Sequence, residues 1–236
     1  MAKKKSHQVS IRKKVAKIFL KTLLWFLGIT IFWVLLYKVI NPPVTYLMMQ
    51  RGFERKWDGK TWKIDKEWKD FDDISTNLKR AVIAAEDSRF LLHNGFDFKA
   101  IEKAYQKNRS GKKVRGGSTI SQQTAKNVFL WPGRSYIRKG FEAYFTVLIE
   151  LFWSKQRILE VYLNVIEMGD GIYGAQAATL SYYHKPCTSL LKSEAALLAA
   201  VLPNPRRWTP KKPTAYIYRK QSVILYNMRN LGKLEF

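Results

Sequence analysis
The sequence predicts a mainly α-helical domain behind a single N-terminal membrane-spanning helix. Three observations carry this. Thr22 to Tyr37 holds no charged residue, while the residues before it are strongly basic. Beyond Ser75, apolar residues recur at helical spacing between Ser or Thr starts and Gly or Pro stops. No stretch sustains the strict alternation of a half-buried strand. The chain has 236 residues, 47% of them apolar, which suffices for one domain with a sizeable core plus appendages. Its formal charge of +24 calls for anionic partners, such as nucleic acid, lipid headgroups or a phosphate-bearing substrate. A single cysteine, Cys187, excludes an internal disulfide and a cysteine-rich metal site, and is read as a small packed residue.

Taken in order, residues 1–17 form a basic tail, which lies on the cytoplasmic side by the positive-inside rule. Residues 18–40 form the span. With Lys21 and Lys38 snorkelling outward, its 23 residues reach roughly 34 Å at the helical rise, enough for a bilayer core. The run ends in Tyr37-Lys38-Val39-Ile40-Asn41-Pro42-Pro43, a poor cleavage site, so an uncleaved anchor is favoured over a signal peptide. The chain beyond the span is then extracytoplasmic, where nucleic acid is rarely met and lipid phosphate is within reach. Residues 41–70 read as a juxtamembrane connector. Its Trp57, Trp62 and Trp68, set among Lys and Arg, suit either an interfacial surface or the core of the next domain.

Residues 71–236 form the domain. Ser75 or Thr76 caps a helix expected to run to Gly95, with Ile83, Glu86 and Phe90 on one face. Further helices are expected over 97–108, from Ser118, from Arg134 to Phe152, from Ser154 to about Met168, and over 175–183, 191–202 and 216–231. In the Arg134 helix, Ile137, Phe141, Tyr144, Phe145, Leu148 and Phe152 should face inward. Residues 109–115 and 169–174 read as loops. Gly169-Asp170-Gly171-Ile172-Tyr173-Gly174 matches the dinucleotide-binding fingerprint, yet it follows a helix and sits in no βαβ unit, so it is read as a turn.

Two stretches carry chemistry. Glu86 follows Ala81-Val82-Ile83-Ala84-Ala85; a carboxylate in apolar surroundings is held more basic than in water, which suits a general base, although a solvated helix acid reads the same way. Gly116-Gly117-Ser118 at a helix start offers free backbone N–H groups, an arrangement that favours phosphate. Thr119, Gln123 and Lys126 share a face of that helix, and Arg134, Arg138 and Lys139 follow, so the cluster suits a pyrophosphate as well as a solvated basic face. Arg138 and Glu142 stand in ion-pair spacing. His7, His93 and His184 show no metal-ligand spacing, and His93 is read as hydrogen-bonded packing.

These residues resemble one family, the peptidoglycan glycosyltransferases shared with class A penicillin-binding proteins, in its monofunctional biosynthetic branch. Five blocks in order carry the likeness: Glu86 to Asp97; Gly116 to Gln123 with Lys126-Asn127; Arg138 to Glu142; Ile158 to Asn164 with Gly169, Gly171 and Gly174; and Leu191 to Pro205. Ser121 stands where the family usually has Thr. No transpeptidase domain is expected after Phe236. The resemblance implies a lysozyme-like, two-lobed α fold that polymerises lipid II by inverting transfer, with undecaprenyl pyrophosphate leaving. It implies Glu86 as general base and Glu142 as a second essential glutamate near the donor pyrophosphate. Lys126, Arg134, Arg138 and Lys139 would hold the leaving group; Ser118, Thr119, Gln122 and Gln123, with Asn127, would line the substrate cleft. It implies lipid II, the growing glycan chain and the bacterial inner membrane as partners, and leaves room for other cell-wall synthases. A divalent cation, Mg or Mn, on the pyrophosphate is compatible with this chemistry; no metal-ligand set is visible, and no organic cofactor is implied. A lysozyme-like glycan-cleaving enzyme is the main alternative, and a non-enzymatic binder of anionic membranes the second.

Overall fold
The computed structural model describes residues 2–109 and 117–236. The chain divides into two units, one ending at Ile40 and one spanning Asn41–Phe236.

The first unit is helix α1, Ala2–Val39. Arg12–Val39 within it is long and apolar enough to cross a membrane. The helix starts well before the expected span because no Gly or Pro interrupts the tail. Its hydroxyls are satisfied locally: Thr22 Oγ1 donates to Ile18 O at 3.0 Å, and Thr30 Oγ1 to Phe26 O at 2.8 Å. That suits a medium offering no water. Two residues beyond its end comes Pro42-Pro43, which cannot continue the hydrogen-bond ladder.

The second unit is helical around a small sheet. Helix α2 (Tyr46–Trp57) lies in the stretch expected as a connector. Its N-cap Thr45 accepts from Met48 N, and the helix packs on α5. Strand β1 (Asp65–Lys66) comes next, then α3 (Thr76–Glu86), α4 (Phe98–Arg109), α5 (Ile120–Phe129), α6 (Tyr136–Phe152) and α7 (Lys155–Val165). Strands β2 (Glu167–Gly169) and β3 (Ile172–Tyr173) lead to α8 (Gly174–Tyr183), α9 (Lys192–Val201) and α10 (Ala215–Asn230). The sheet order is β1-β3-β2, with β1 parallel and β2 antiparallel to β3. The stretch expected as a loop is therefore a hairpin. Gly171 turns it at φ +73°, and Gly174 starts α8 at φ +80°, where a Cβ would lie 2.7 Å from Asn164 O. These glycines serve backbone geometry.

Two helical groups form the core. Helices α3, α9 and α10 pack together, and α5 packs on α6 and α7. In the first, Ala195, Ala196, Ala199 and Ala200 are buried and let α9 approach α3 closely. In the second, Phe129 and Phe145 stack at 4.7 Å, above buried Ile120, Ile149 and Leu159. Phe145 and Leu148 face inward as expected, but Ile137 is 73% exposed. The apolar stripe of α6 therefore begins later than its composition suggests.

The expected 75–95 helix stops at Glu86. Asp87 leaves helical geometry at φ −159°, and Phe90–Leu92 forms a separate 3-10 turn. The cause is the side chain of Asp87, turned into the core toward α5. The start of α5 also differs from expectation: Thr119, not Ser118, is the N-cap. The expected 109–115 loop and Gly116 lie outside the described residues, apart from Arg109, which closes α4.

Candidate active site
Glu86 is the last residue of α3, at the carbonyl-rich end of the helix, where negative charge is disfavoured. Burial pushes its carboxyl above the ordinary range; a hydrogen bond from Gln123 and the cations Lys220 and Lys126 act the other way. Gln123 Nε2 donates to Glu86 Oε2 at 2.9 Å, and Gln123 Oε1 accepts from Tyr162 at 3.3 Å. The carboxyl is thus oriented from α5, which itself is oriented from α7.

The next residue fixes that geometry. Asp87 Oδ2 accepts from Ile120 N at 3.1 Å, and its two oxygens lie 2.9 and 3.1 Å from His93 Nε2. Thr119 and Gln122 form a capping box, and Thr119 Oγ1 donates to Gly95 O at 2.6 Å. The anion at the start of α5 is therefore the protein's own carboxylate. Of the helix start expected to cradle phosphate, the N–H of Ile120 is therefore taken by Asp87 and that of Thr119 by Gln122, while Gly116 lies outside the described residues. Thr119 and Gln122 are buried caps, and Ser118 is exposed. Ser121 is buried and donates to Glu150, which Lys155 also holds at 2.8 Å.

Glu86 lines a cleft of about 460 Å³ with Gln123, Lys126 and Asn127 of α5, Arg134 of the α5–α6 loop and Arg138 of α6. Burial pushes the Lys126 ammonium down, and neighbouring Glu142 partly restores it. Arg138 is buried, donating to Glu142 Oε2 at 3.0 Å, and Lys139 pairs with the other oxygen. Glu142 thus holds Arg138, which lines the cleft, and its charge reaches Lys126 as well.

Sequence reading missed Arg51 of α2 and Glu167 of β2, which line the same cleft. Arg51 Nε lies 3.8 Å from Glu167 Oε2. Burial raises the Glu167 carboxyl, against the pull of Arg51. Arg51 lay in a segment taken for a connector, and Glu167 near the end of a stretch expected as helix. Arg51 Nε, Asn127 Nδ2, Arg138 Nε and Glu167 Oε1 are all buried without a hydrogen-bond partner in the protein. Four such atoms around one cleft point to a polar ligand there.

Both oxygens of Glu142 are engaged by Arg138 and Lys139, and the acids that line the cleft itself are Glu86 and Glu167. Elsewhere, Asp87, His93 and Asp97 lie close enough to suggest a metal site. Asp97, however, accepts from Arg89 at 2.7 Å and from Ala100 N at 3.0 Å, and Asp87 is engaged as above. This cluster is an internal clamp.

A buried carboxyl that lines one cleft with Lys126, Arg134 and Arg138, in a helical domain, is an arrangement suited to acid–base group transfer on an anionic substrate. The transglycosylase family model matches residues 57–229. A biosynthetic peptidoglycan transglycosylase of Pseudomonas fluorescens (strain Pf0-1) is 50% identical over 91% of this chain and 89% of its own length. One from Xanthomonas euvesicatoria pv. vesicatoria (strain 85-10) is 51% identical over 89% and 85%. One from Caulobacter vibrioides (strain ATCC 19089 / CIP 103742 / CB 15) is 54% identical over 81% of both. The chain belongs to the transglycosylase family, and its fold is the family's lysozyme-like glycosyltransferase fold.

Proposed function
We propose that this chain polymerises lipid II into the β-1,4-linked glycan strands of peptidoglycan, with inversion at the transferred sugar and undecaprenyl pyrophosphate leaving. One observation carries the reading: Glu86 and the cations Lys126, Arg134 and Arg138 line one cleft. A sugar hydroxyl is a weak nucleophile, and Glu86 in its ionised form takes the proton as the 4-hydroxyl of the acceptor attacks C1 of the donor. The C1–O bond to phosphate breaks, and the charge gathering on the diphosphate meets the three cations in a partly desolvated site. Glu142 and Lys139 keep Arg138 aimed. A divalent cation, where present, enters as the counter-ion of the substrate diphosphate and needs no protein ligand set.

The apolar helix Arg12–Val39 fits a single-pass anchor that keeps the site where a lipid-borne substrate diffuses. We place the anchor in the bacterial inner membrane, with the second unit outside the cytoplasm and other cell-wall synthases as neighbours. The test is glycan-chain formation from lipid II by the wild type beside Glu86→Gln. The variant should lose at least about 10²-fold in rate, as expected for loss of a general base. Full activity in the variant, or fragmentation of finished glycan by the wild type, would overturn the reading.

A further inference from the structure
A hollow of about 1060 Å³ opens between the first turns of α3 and α9 and the last turns of α10. Thr76 and Glu86 mark opposite ends of α3, so its 11 residues set this hollow about 15 Å from the base. It shares no lining residue with the cleft.

The hollow is apolar within and basic at its rim. Leu225 and buried Met228 of α10 line it, and Leu191, 60% exposed, stands at its edge. Arg80, Lys192 and Arg229 line it too, and no acid is among its described lining residues. Arg80 donates to Met228 O at 2.7 Å, Leu231 O at 2.6 Å and Gly232 O at 2.9 Å, so the carbonyl end of α10 is already met by a fixed positive charge. Lys192 and Arg229 are exposed and make no ion pair among the described residues. Glu194, close by in α9, is engaged by Lys185 at 2.6 Å and by Leu191 N at 2.8 Å. The N-cap of α9 is Leu191, whose side chain holds no acceptor, so the first N–H groups of that helix add to the positive potential.

These features select among occupants. None of the lining residues has a buried polar atom without a partner, in contrast to the four such atoms around the cleft, so nothing here is shaped for a small polar ligand. The volume also exceeds the range of about 300–1,000 Å³ usual for small ligands. No strand of the sheet borders the hollow, so a peptide cannot join by strand addition. An amphipathic helix that lays apolar side chains into a groove is the mode that remains. Its flanks must be acidic to match the rim. A second copy of this chain is a poor source of such a segment, with 42 Lys and Arg against 18 Asp and Glu.

We propose that the hollow between α3, α9 and α10 seats an acidic amphipathic helix of a partner protein, its apolar side chains against Leu191, Leu225 and Met228 and its carboxylates on Lys192 and Arg229. The seat is separate from catalysis and does not rest on the identity of the substrate.

Fluorescence anisotropy with the full-length protein in detergent tests it. The probe is a labelled helical peptide of about four turns, with Leu at i, i+3, i+4 and i+7 and Glu on both flanks. The wild type should bind it, and Lys192→Glu combined with Arg229→Glu should weaken binding at least about tenfold. Lys211→Glu combined with Lys212→Glu makes the same charge change at exposed positions outside the hollow, and should leave binding within about twofold. Leu191→Gln, at an exposed position, keeps the test open if the first pair misfolds in a circular-dichroism melt, and should weaken binding about fivefold. A peptide of the same composition without the apolar stripe should not compete. Polymer formation from lipid II by the Lys192→Glu, Arg229→Glu variant should match the wild type. No binding of the probe by the wild type, equal losses in the two charge-reversed pairs, or equal competition by the stripeless peptide would overturn the proposal. So would displacement of the probe by lysophosphatidylglycerol as readily as by unlabelled probe, since the hollow would then be a lipid seat. Polymer formation that falls in step with probe affinity would make the hollow part of the reaction, and would overturn its separate role.

Discussion
At the scale of the residue, the site turns on how Glu86 is held. Burial opposes its ionisation, and the donor Gln123 restores part of it, so the acid limb of the rate profile should lie above the ordinary carboxylate range. Gln123→Leu removes the donor and should move that limb to still higher pH, with the plateau rate reached later; kcat/KM against pH checks it. An unmoved limb would detach Gln123 from the base. The same shift affects stability. The folded carboxyl binds its proton more tightly than the unfolded one, so its contribution is full below the unfolded pKa and is lost as pH rises through the folded one. Glu86→Gln should therefore raise the melting temperature at neutral pH and leave it little changed near pH 3, relative to wild type at each pH. Glu86 was legible as a candidate because five apolar residues precede it. Its real constraints, Gln123 and Tyr162, were hidden because periodicity reports the face of one helix and not what packs against it. Spacing alone made Glu142 an ion-pair partner of Arg138, and only the resemblance made it a second essential glutamate; in the fold it is buried and engaged by both Arg138 and Lys139.

At the scale of the element, the hinge of the site is the junction of α3 and α5. Asp87 ends the first helix and caps the second, so the residue after the base also positions Gln123 and Lys126. Here sequence reasoning failed for an identifiable reason. Helical spacing continues past Glu86 through Phe90, and nothing local says that Asp87 will prefer a backbone N–H far along the chain to its own next turn. The hydroxyls and amides of α5 were readable as polar, but which of them cap and which face the cleft depends on a start at Thr119. Helix existence was otherwise well marked, since Ser75, Ser135, Ser154 and Thr214 each accept the capping bond they are suited for. Thr119→Ala loses its capping bond and its contact with Gly95 O, and should cost about 1–2 kcal/mol in denaturant unfolding. Asp87→Ala leaves Ile120 N and His93 without their buried acceptor. It should cost about 2–4 kcal/mol and lower kcat more than Thr119→Ala does, because it also frees the base. If both variants lost activity only in proportion to lost stability, the junction would be structural and nothing more.

At the scale of the whole molecule, charge and anchor act together. The +24 charge was visible in composition, as was the apolar run that became α1; the meeting of Arg51 with Glu167 was not, because they are separated by most of the folded domain. The charge serves two places that salt screens differently. Exposed Lys and Arg face solvent, where the Debye length falls from about 10 Å at 0.1 M to about 3 Å at 1 M salt. The cleft cations Lys126 and Arg138 are largely withdrawn from solvent, where screening is weaker. With substrate in vesicles rich in anionic lipid, raising salt from about 0.05 to about 0.5 M should therefore lower the initial rate several-fold. With substrate in neutral detergent micelles the same change should have a much smaller effect. Polymer formation measured in parallel on the two preparations separates the sources of the dependence. Equal falls in both would place the salt-sensitive charges inside the cleft, and would leave the basic exterior with no part in finding a substrate confined to a membrane.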